Sequence, residues 1–306
     1  MLYGGLGDDV FLRESGIDAL YGGDGADTFQ FDNRDTGVKT LADFEFGVDL
    51  ATFRIDGGYF ADTSIKTINN NQAHVSTVDD LIKLVGAVLS DDGEANSVSV
   101  DDGTLTLVID ADDHPRGDLT LIFEGGATAI QTEIYEALVA SGAVPAGSVP
   151  PAPGGNGDGF ILNGVSSKGD DIYFGTAGAN SFRFESDEAT EDGTRGTTDE
   201  AAHVDVIVGF DEADTLSFRI DGGFFAGLGD IPPDVDQRNN NQASVAYGGI
   251  DELGAFLNDK STANAADQSR AFYDVDTNST VLVIDDSPTN PDDDLTIVLW
   301  DAGDLL

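Results

Sequence analysis

The chain has 306 residues, with 14 Lys and Arg against 58 Asp and Glu, for a formal net charge of −44. So large an anionic excess leaves no cationic surface to hold a nucleic-acid backbone or an anionic membrane, and the strongest apolar run, LIKLVGAVL from Leu81, is too short to insert across a bilayer and contains Lys83. There is no cysteine, so disulfide and thiolate chemistry are excluded, while 40% hydrophobic residues suffice for a core and the length suits about two domains.

The amino terminus lays out as three nonapeptides: GGLGDDVFL from Gly4, RESGIDALY from Arg13 and GGDGADTFQ from Gly22. They follow the pattern G-G-x-G-x-D-x-U-x of a calcium-binding parallel β-helix, with U apolar at Phe11, Leu20 and Phe29. The middle unit is degenerate but keeps Gly16, Asp18 and Leu20. Further on, Leu81, Leu84, Val85, Val88 and Leu89 recur at helical period and predict a helix from Val78 to Ser90, with Thr77 as its cap. Alternation in LTLVID from Leu105 and LTLIF from Leu119 predicts half-buried strands of an antiparallel sandwich, with a hairpin turn at Asp101. A second helix is predicted from Ala129 to Ala140 on Ile130, Ile134 and Leu138.

The second half repeats the first. FRIDGGYFA at Phe53 returns as FRIDGGFFA at Phe218, NNNQAHV at Asn69 as NNNQASV at Asn239, and LTLVID from Leu105 as TVLVID from Thr280. Between the copies lies a stretch holding Pro145, Pro150, Pro151 and Pro153, which reads as a semi-extended spacer. The expected organisation is a first module over 1–142, a linker over 143–153 and a second module over 154–306. The second set of repeats, GGNGDGFIL, SSKGDDIYF and GTAGANSFR, is poorer: Asp171 keeps its acid, while Gly159 and Asn180 stand where the stacked acids belong. The predicted fold class is mainly all-β, a short parallel β-roll continuing into an antiparallel β-sandwich, in two tandem copies with a few short helices.

In each nonapeptide the glycine-rich half must turn sharply, where Gly allows positive φ and close backbone approach, and x-U-x forms a short strand. Two units make one coil, so Asp9 stacks over Asp27 with turn carbonyls between them. Two such carboxylates repel, and Ca²⁺, which takes 6 to 8 oxygens at about 2.3–2.6 Å, resolves the repulsion. The competing reading makes these acids simple caps of strand ends. Asp110, Asp112, Asp113 and Asp118, and Asp285 with its neighbours in IDDSPTNPDDDL, occupy matching loops that suit either a second ion or plain solvation. DVDTN at Asp274 lacks the central Gly and twelfth-position Glu of a helix-loop-helix calcium site. The three histidines, His74, His114 and His203, form no zinc motif, His74 is replaced by Ser244 in the second copy, and no nucleophile elbow or phosphate loop occurs. The expectation is a protein without catalytic activity.

GGDGADTFQFD followed by LADFEFGVDLATFRI resembles the last repeat and first sandwich strands of the RTX (repeats-in-toxin) proteins, as in the C-terminal half of serralysin-type proteases. The likeness is strong over residues 4–60, weaker over 154–220 and loose elsewhere. It implies calcium ligation by the carbonyls of Gly5 and Gly7 with the Asp9 carboxylate, facing the carbonyls of Gly22 and Asp24 with the Asp27 carboxylate; Asp18, Asp171 and Asn180 hold matching repeat positions. It also implies type I secretion through an uncleaved C-terminal signal, which the ending Asp304, Leu305, Leu306 resembles. The expected location is therefore extracellular or at the cell surface.

Three functions follow as expectations. The first is a secreted calcium-binding structural or adhesive protein that folds on meeting calcium and self-associates head to tail, or binds a surface or matrix component, through its uncovered first coil. The second is the secretion and folding portion of a larger secreted enzyme. The third is a carbohydrate-binding module using Tyr59, Phe60, Phe224 and Phe225, although their position beside FRIDGG favours packing in the core.

Overall fold

A computed structural model of the chain describes residues 1–12, 16–32, 37–55, 60, 65, 67–69, 71–90, 96–101, 103–110, 118–144, 159–162, 171–175, 179–185, 203–220, 223–230, 233–263, 268–285 and 295–306. The protein is mainly β, with three α-helices among the described residues, and divides into two compact units, Met1–Glu133 and Ile134–Leu306. The expected linker lies outside the described residues except for Ala143 and Val144. Among the described residues no helix is long and apolar enough to cross a membrane.

The first unit contains β1 (Leu2–Leu6), β2 (Val10–Phe11), β3 (Asp18–Asp24), β4 (Thr28–Asp32), β5 (Gly37–Leu41), β6 (Leu50–Arg54), β7 (Thr67–Asn69) and β8 (Gln72–Val75). After α1 (Val78–Ser90) come β9 (Ser97–Asp101), β10 (Thr104–Ile109), β11 (Leu119–Phe123) and α2 (Gly126–Ser141), within which the unit boundary falls. Alternate strands feed alternate sheets. One sheet runs β1-β3-β5-β11-β10-β9, parallel as far as β11 and antiparallel beyond. The other runs β2-β4-β6-β8-β7, parallel from β2 to β6 and antiparallel beyond.

The parallel and antiparallel parts thus share the same two sheets. Strand β11, whose alternation suggested an antiparallel neighbourhood, lies antiparallel to β10 and parallel to β5. Period-2 alternation reports which face is buried and carries no information about strand direction.

Aromatic side chains stack from coil to coil. Phe11 lies on Phe29 with ring centroids 4.8 Å apart and planes within 8°, and Tyr3 stacks on Tyr21 at 4.7 Å. Phe29, Leu41, Phe53, Leu105, Leu107, Leu121 and Phe123 are fully buried. Helix α1 presents the expected stripe, with Leu81, Leu84, Val85 and Val88 buried, and Ile130, Ile134 and Leu138 of α2 are buried as their spacing predicts.

The second unit holds β12 (Gly159–Leu162), β13 (Asp171–Phe174), β14 (Ser181–Glu185), β15 (His203–Val208), β16 (Thr215–Arg219), β17 (Val235–Asn239) and β18 (Gln242–Ala246), followed by α3 (Ile250–Ala263), β19 (Arg270–Asp274), β20 (Ser279–Ile284) and β21 (Leu295–Trp300). Its sheets run β12-β13-β15-β21-β20-β19 and β14-β16-β18-β17, with parallel pairing up to β21 in the first and between β14 and β16 in the second. Helix α3 has no counterpart in the sequence expectations. Its apolar spacing, Ile250, Leu253 and Leu257, is buried, but a polar end, NDKSTA, dilutes the stripe.

The start of α1 is a capping box. The Asp80 N–H donates to Thr77 Oγ1 at 3.1 Å, and Asp80 Oδ2 accepts from the Thr77 and Ser76 N–H groups at 3.2 and 3.0 Å and from Ser76 Oγ at 3.1 Å. Burial pushes the Asp80 carboxyl up, but these donors outweigh it and hold the group below its ordinary value. A folded carboxyl that titrates below the unfolded one contributes stability above about pH 4 and loses it as the pH falls through the folded value. Thr77→Ala should therefore cost about 1 kcal/mol in urea denaturation, and the penalty of Asp80→Ala, clear at pH 7, should shrink as the pH is lowered below 4.

Candidate metal centre

Strands β2 to β6 are each entered through a five-residue rung, G-x-D-x-U, wider in reach than the nonapeptide. It occurs at Gly7-Asp8-Asp9-Val10-Phe11, Gly16-Ile17-Asp18-Ala19-Leu20, Gly25-Ala26-Asp27-Thr28-Phe29 and Gly47-Val48-Asp49-Leu50-Ala51, and with Lys in place of Asp at Gly37-Val38-Lys39-Thr40-Leu41. All five leading glycines have positive φ, between +89° and +136°, a region that side chains other than Gly rarely enter. The rung therefore turns the chain into each strand and sets the next acid but one at the ladder edge.

Consecutive rungs of one edge are linked through their acids. The Asp9 N–H donates to Asp27 Oδ1 at 2.8 Å, the Asp27 N–H to Asp49 Oδ1 at 2.9 Å, and Asp49 Oδ2 accepts from the Glu45 N–H at 2.9 Å. Asp49 is thus satisfied on both oxygens. Asp9 and Asp27 are not: Oδ2 of each is buried without a hydrogen-bond partner, and Asp27 as a whole is 1% exposed. An ionised carboxylate oxygen held this way is costly without a positive partner.

Both orphaned oxygens lie against glycine. A β-carbon on Gly4 would sit 2.6 Å from Asp9 Oδ2 and 2.6 Å from the Gly22 carbonyl oxygen, and one on Gly22 would collide with Asp27 Oδ2. Asp9, Gly22 and Asp27 are thereby brought together at one edge of the coil. The Asp24 carbonyl accepts from the Gly7 N–H at 2.7 Å, which leaves its second lone pair. The Gly5 and Gly7 carbonyls face the α-carbons of Gly23 and Gly25, where a β-carbon would fall within contact distance. Among the described residues no three His, Asp or Glu side chains converge to hold an ion. The donor set is two carboxylates with backbone carbonyls, hard oxygens of the kind Ca²⁺ takes, and the two unpartnered oxygens are of the type that could hold a divalent cation.

Other candidate positions are filled by the protein itself. Asp18 Oδ2 accepts from Lys39 Nζ at 2.7 Å, a bond that holds the Asp18 carboxyl below its ordinary value. The Asp171 N–H donates to Asp205 Oδ1 at 3.1 Å, and Asp171 Oδ2 accepts from the Tyr173 hydroxyl. Asn180 donates through both its N–H and Nδ2 to Asp214 Oδ1 at 2.8 Å. Burial raises the Asp214 carboxyl, more than those bonds lower it. Gly159, expected opposite Asn180, pairs instead with Asp171. Gly159 precedes Asp171 by 12 positions, short of a full eighteen-residue coil, so Gly159 falls on the other edge. Asp110 donates its N–H to Asn96, and Asp285 accepts from the Gln268 N–H at 2.7 Å; Asp112 lies outside the described residues. Asp274 closes a hairpin by accepting from Asp276 N–H and Thr277 Oγ1.

The aromatic platform expected for a carbohydrate module is not presented to solvent. Phe60, Phe224 and Phe225 are core residues, and Tyr59 lies outside the described residues. Sequence reading missed Lys39, Asp49, Asp205 and Asp214, although the G-x-D-x-U spacing marks Asp49 directly.

Compared with known protein families, with curated proteins and with solved structures, the chain finds no match.

The close approach of successive coils has a measurable consequence. Gly23 (φ +94°) has the Gly5 carbonyl where a β-carbon would sit, whereas Gly47 (φ +89°) faces open space. Gly47→Ala should cost only the left-handed penalty of about 1–2 kcal/mol. Gly23→Ala carries the same penalty plus the collision and should lose clearly more in parallel urea titrations.

Proposed function

We propose that this chain is an extracellular calcium-binding structural or adhesive protein of RTX type, two tandem modules of β-roll and sandwich that order on meeting calcium after type I secretion. The observation that carries the reading is the pair of buried, unpartnered oxygens, Asp9 Oδ2 and Asp27 Oδ2, one coil apart against Gly4 and Gly22. Two opposed acids and turn carbonyls make a site that is electrostatically incomplete without a cation. In the proposed site the ion supplies charge neutralisation and cross-links the coils; Asp9 and Asp27 would hold it, with the Gly22 carbonyl beside them.

The tandem arrangement draws support from the matching strand orders of the two six-stranded sheets and from the sequence pairs around Phe53 and Phe218. Self-association would use strands β1 and β2, the outer members of their sheets, with exposed Tyr3, Leu6 and Val10 on them and exposed Leu12 just after β2. Unpaired strand edges with apolar side chains invite pairing. The proposed C-terminal signal is docked in the folded unit, with the Leu305 N–H donating to Thr280 Oγ1 at 3.1 Å and Leu305 packed against the core.

Calcium titration followed by calorimetry and melting tests the reading. At a hundredfold excess over Kd the ion should stabilise the protein by about 2.7 kcal/mol. Asp27→Asn should remove that increment while melting no lower than the parent in EDTA, because it relieves the facing charges. A parent protein whose melting ignores calcium would refute the proposal, and particles that stay monomeric by light scattering in millimolar calcium would remove its self-association.

A further inference from the structure

The fourth rung breaks the repeat at its acidic position. In Gly37-Val38-Lys39-Thr40-Leu41 a lysine stands where the other rungs carry Asp, and the parallel register sets it directly against the second rung, with Asp18 opposite Lys39 and Leu20 opposite Leu41. Lys39 is only 3% exposed, a burial that a charged amine sustains when it is paired and hydrogen-bonded. Its ammonium donates to Asp18 Oδ2 at 2.7 Å and to the Gly16 carbonyl at 3.0 Å. The backbones close tightly at this point: a β-carbon on Gly37 (φ +111°) would lie 2.5 Å from that same Gly16 oxygen.

The two edges of the coil therefore pose one electrostatic problem and meet it differently; at Asp18 the buried Lys39 takes Oδ2, and the exposed amino-terminal ammonium stands 3.8 Å from Oδ1. On the first, rung acid faces rung acid, Asp9 against Asp27, and two oxygens lack partners. On the second, rung acid faces rung lysine, and a carboxylate and a turn carbonyl, the two donor types of a calcium shell, converge on an ammonium carried by the chain.

We infer that Lys39 is a tethered counter-ion, filling on the second edge the place that a divalent cation would take on the first, so that β3 and β5 close without metal. The comparison with the first edge rests on the calcium reading above; the role of the lysine charge does not. A free ion is lost to chelators and dilution, whereas a covalently held one is always present. The coil then keeps one edge assembled when calcium is absent and adds the other when it arrives. In the second unit the register-equivalent position is Asp205, facing Asp171, so this substitution belongs to the first unit alone.

The test uses the full chain and Ca²⁺ alone as probe. Lys39→Asp restores acid against acid on the second edge and should bind one more calcium per chain than the parent in calorimetric titration, with lowered melting in EDTA that calcium restores. Lys39→Met, similar in length and uncharged, should melt below the parent in EDTA, and Lys39→Arg, which keeps the charge, should lie between them. Unchanged stoichiometry in Lys39→Asp overturns the inference, as does EDTA melting of Lys39→Met equal to the parent. If Lys39→Asp does not fold under any condition, the Met and Arg variants in EDTA decide alone. A parent that binds no calcium defeats the proposed function, while a Lys39→Asp protein that then binds one ion still upholds this inference.

Discussion

Everything in the amino-terminal half is organised by the requirement that acids stacked one coil apart must each find positive charge or a donor. The rung geometry fixes where the carboxylates go, because a left-handed glycine followed two residues later by Asp delivers the acid to the ladder edge each time. Stacking then brings like charges into a column, where desolvation makes repulsion strong. The chain answers the same demand in four ways. Backbone N–H groups take both oxygens of Asp49, a lysine takes Asp18, an asparagine replaces the acid at 180, and Asp9 with Asp27 each keep one buried oxygen without a hydrogen-bond donor.

Apolar stacking supplies the background against which these polar choices operate. Phe11 on Phe29 and Leu20 against Leu41 align the same rungs that the acids join, so a coil already in register presents its carboxylates at fixed spacing. Rigid presentation raises the penalty for an unmet oxygen, since the side chain has no room to swing to water, and raises the selectivity of whatever cation meets it. The continuous sheets extend that rigidity into the antiparallel part: β5 is hydrogen-bonded to β11 along its whole length, from Gly37 with Leu119 to Leu41 with Phe123. Loosening of the coil would be felt in β10 and β11, and ordering of the coil would be supported by them.

How much of this was legible in the sequence depended on the range of the interaction. The nonapeptides, helix α1 with its Thr77 cap, and the burial of Ile130, Ile134 and Leu138 follow from local spacing and were readable from it. The parallel pairing of β5 with β11 joins segments some eighty residues apart and leaves no local trace in either. Lys39 departs from the acidic pattern of the repeat, yet its neighbours Gly37 and Leu41 preserve the frame around the exchanged residue. Gly159 pairs with Asp171 and not with Asn180 because the step between their strands is shorter than a regular coil, and such a change of coil length leaves no mark in the local repeat. Helix α3 escaped since its buried positions are three widely spaced residues among polar ones.

The charge excess and the local socket are two scales of one effect. A net charge of −44 spread over both halves opposes compaction in the absence of bound cations, and at physiological ionic strength screening confines that opposition to acids within about 8 Å of one another. The stacked rungs are the places where folding itself drives acids inside that distance and away from water. A cation bound there would act with far more leverage on folding than one condensed on the surface, because it would neutralise the charges that the native coil creates and the unfolded chain does not possess. Lys39 shows the same logic carried out with a covalent charge, which makes the second edge insensitive to the surrounding ion concentration and concentrates the proposed calcium response on the single pair, Asp9 and Asp27.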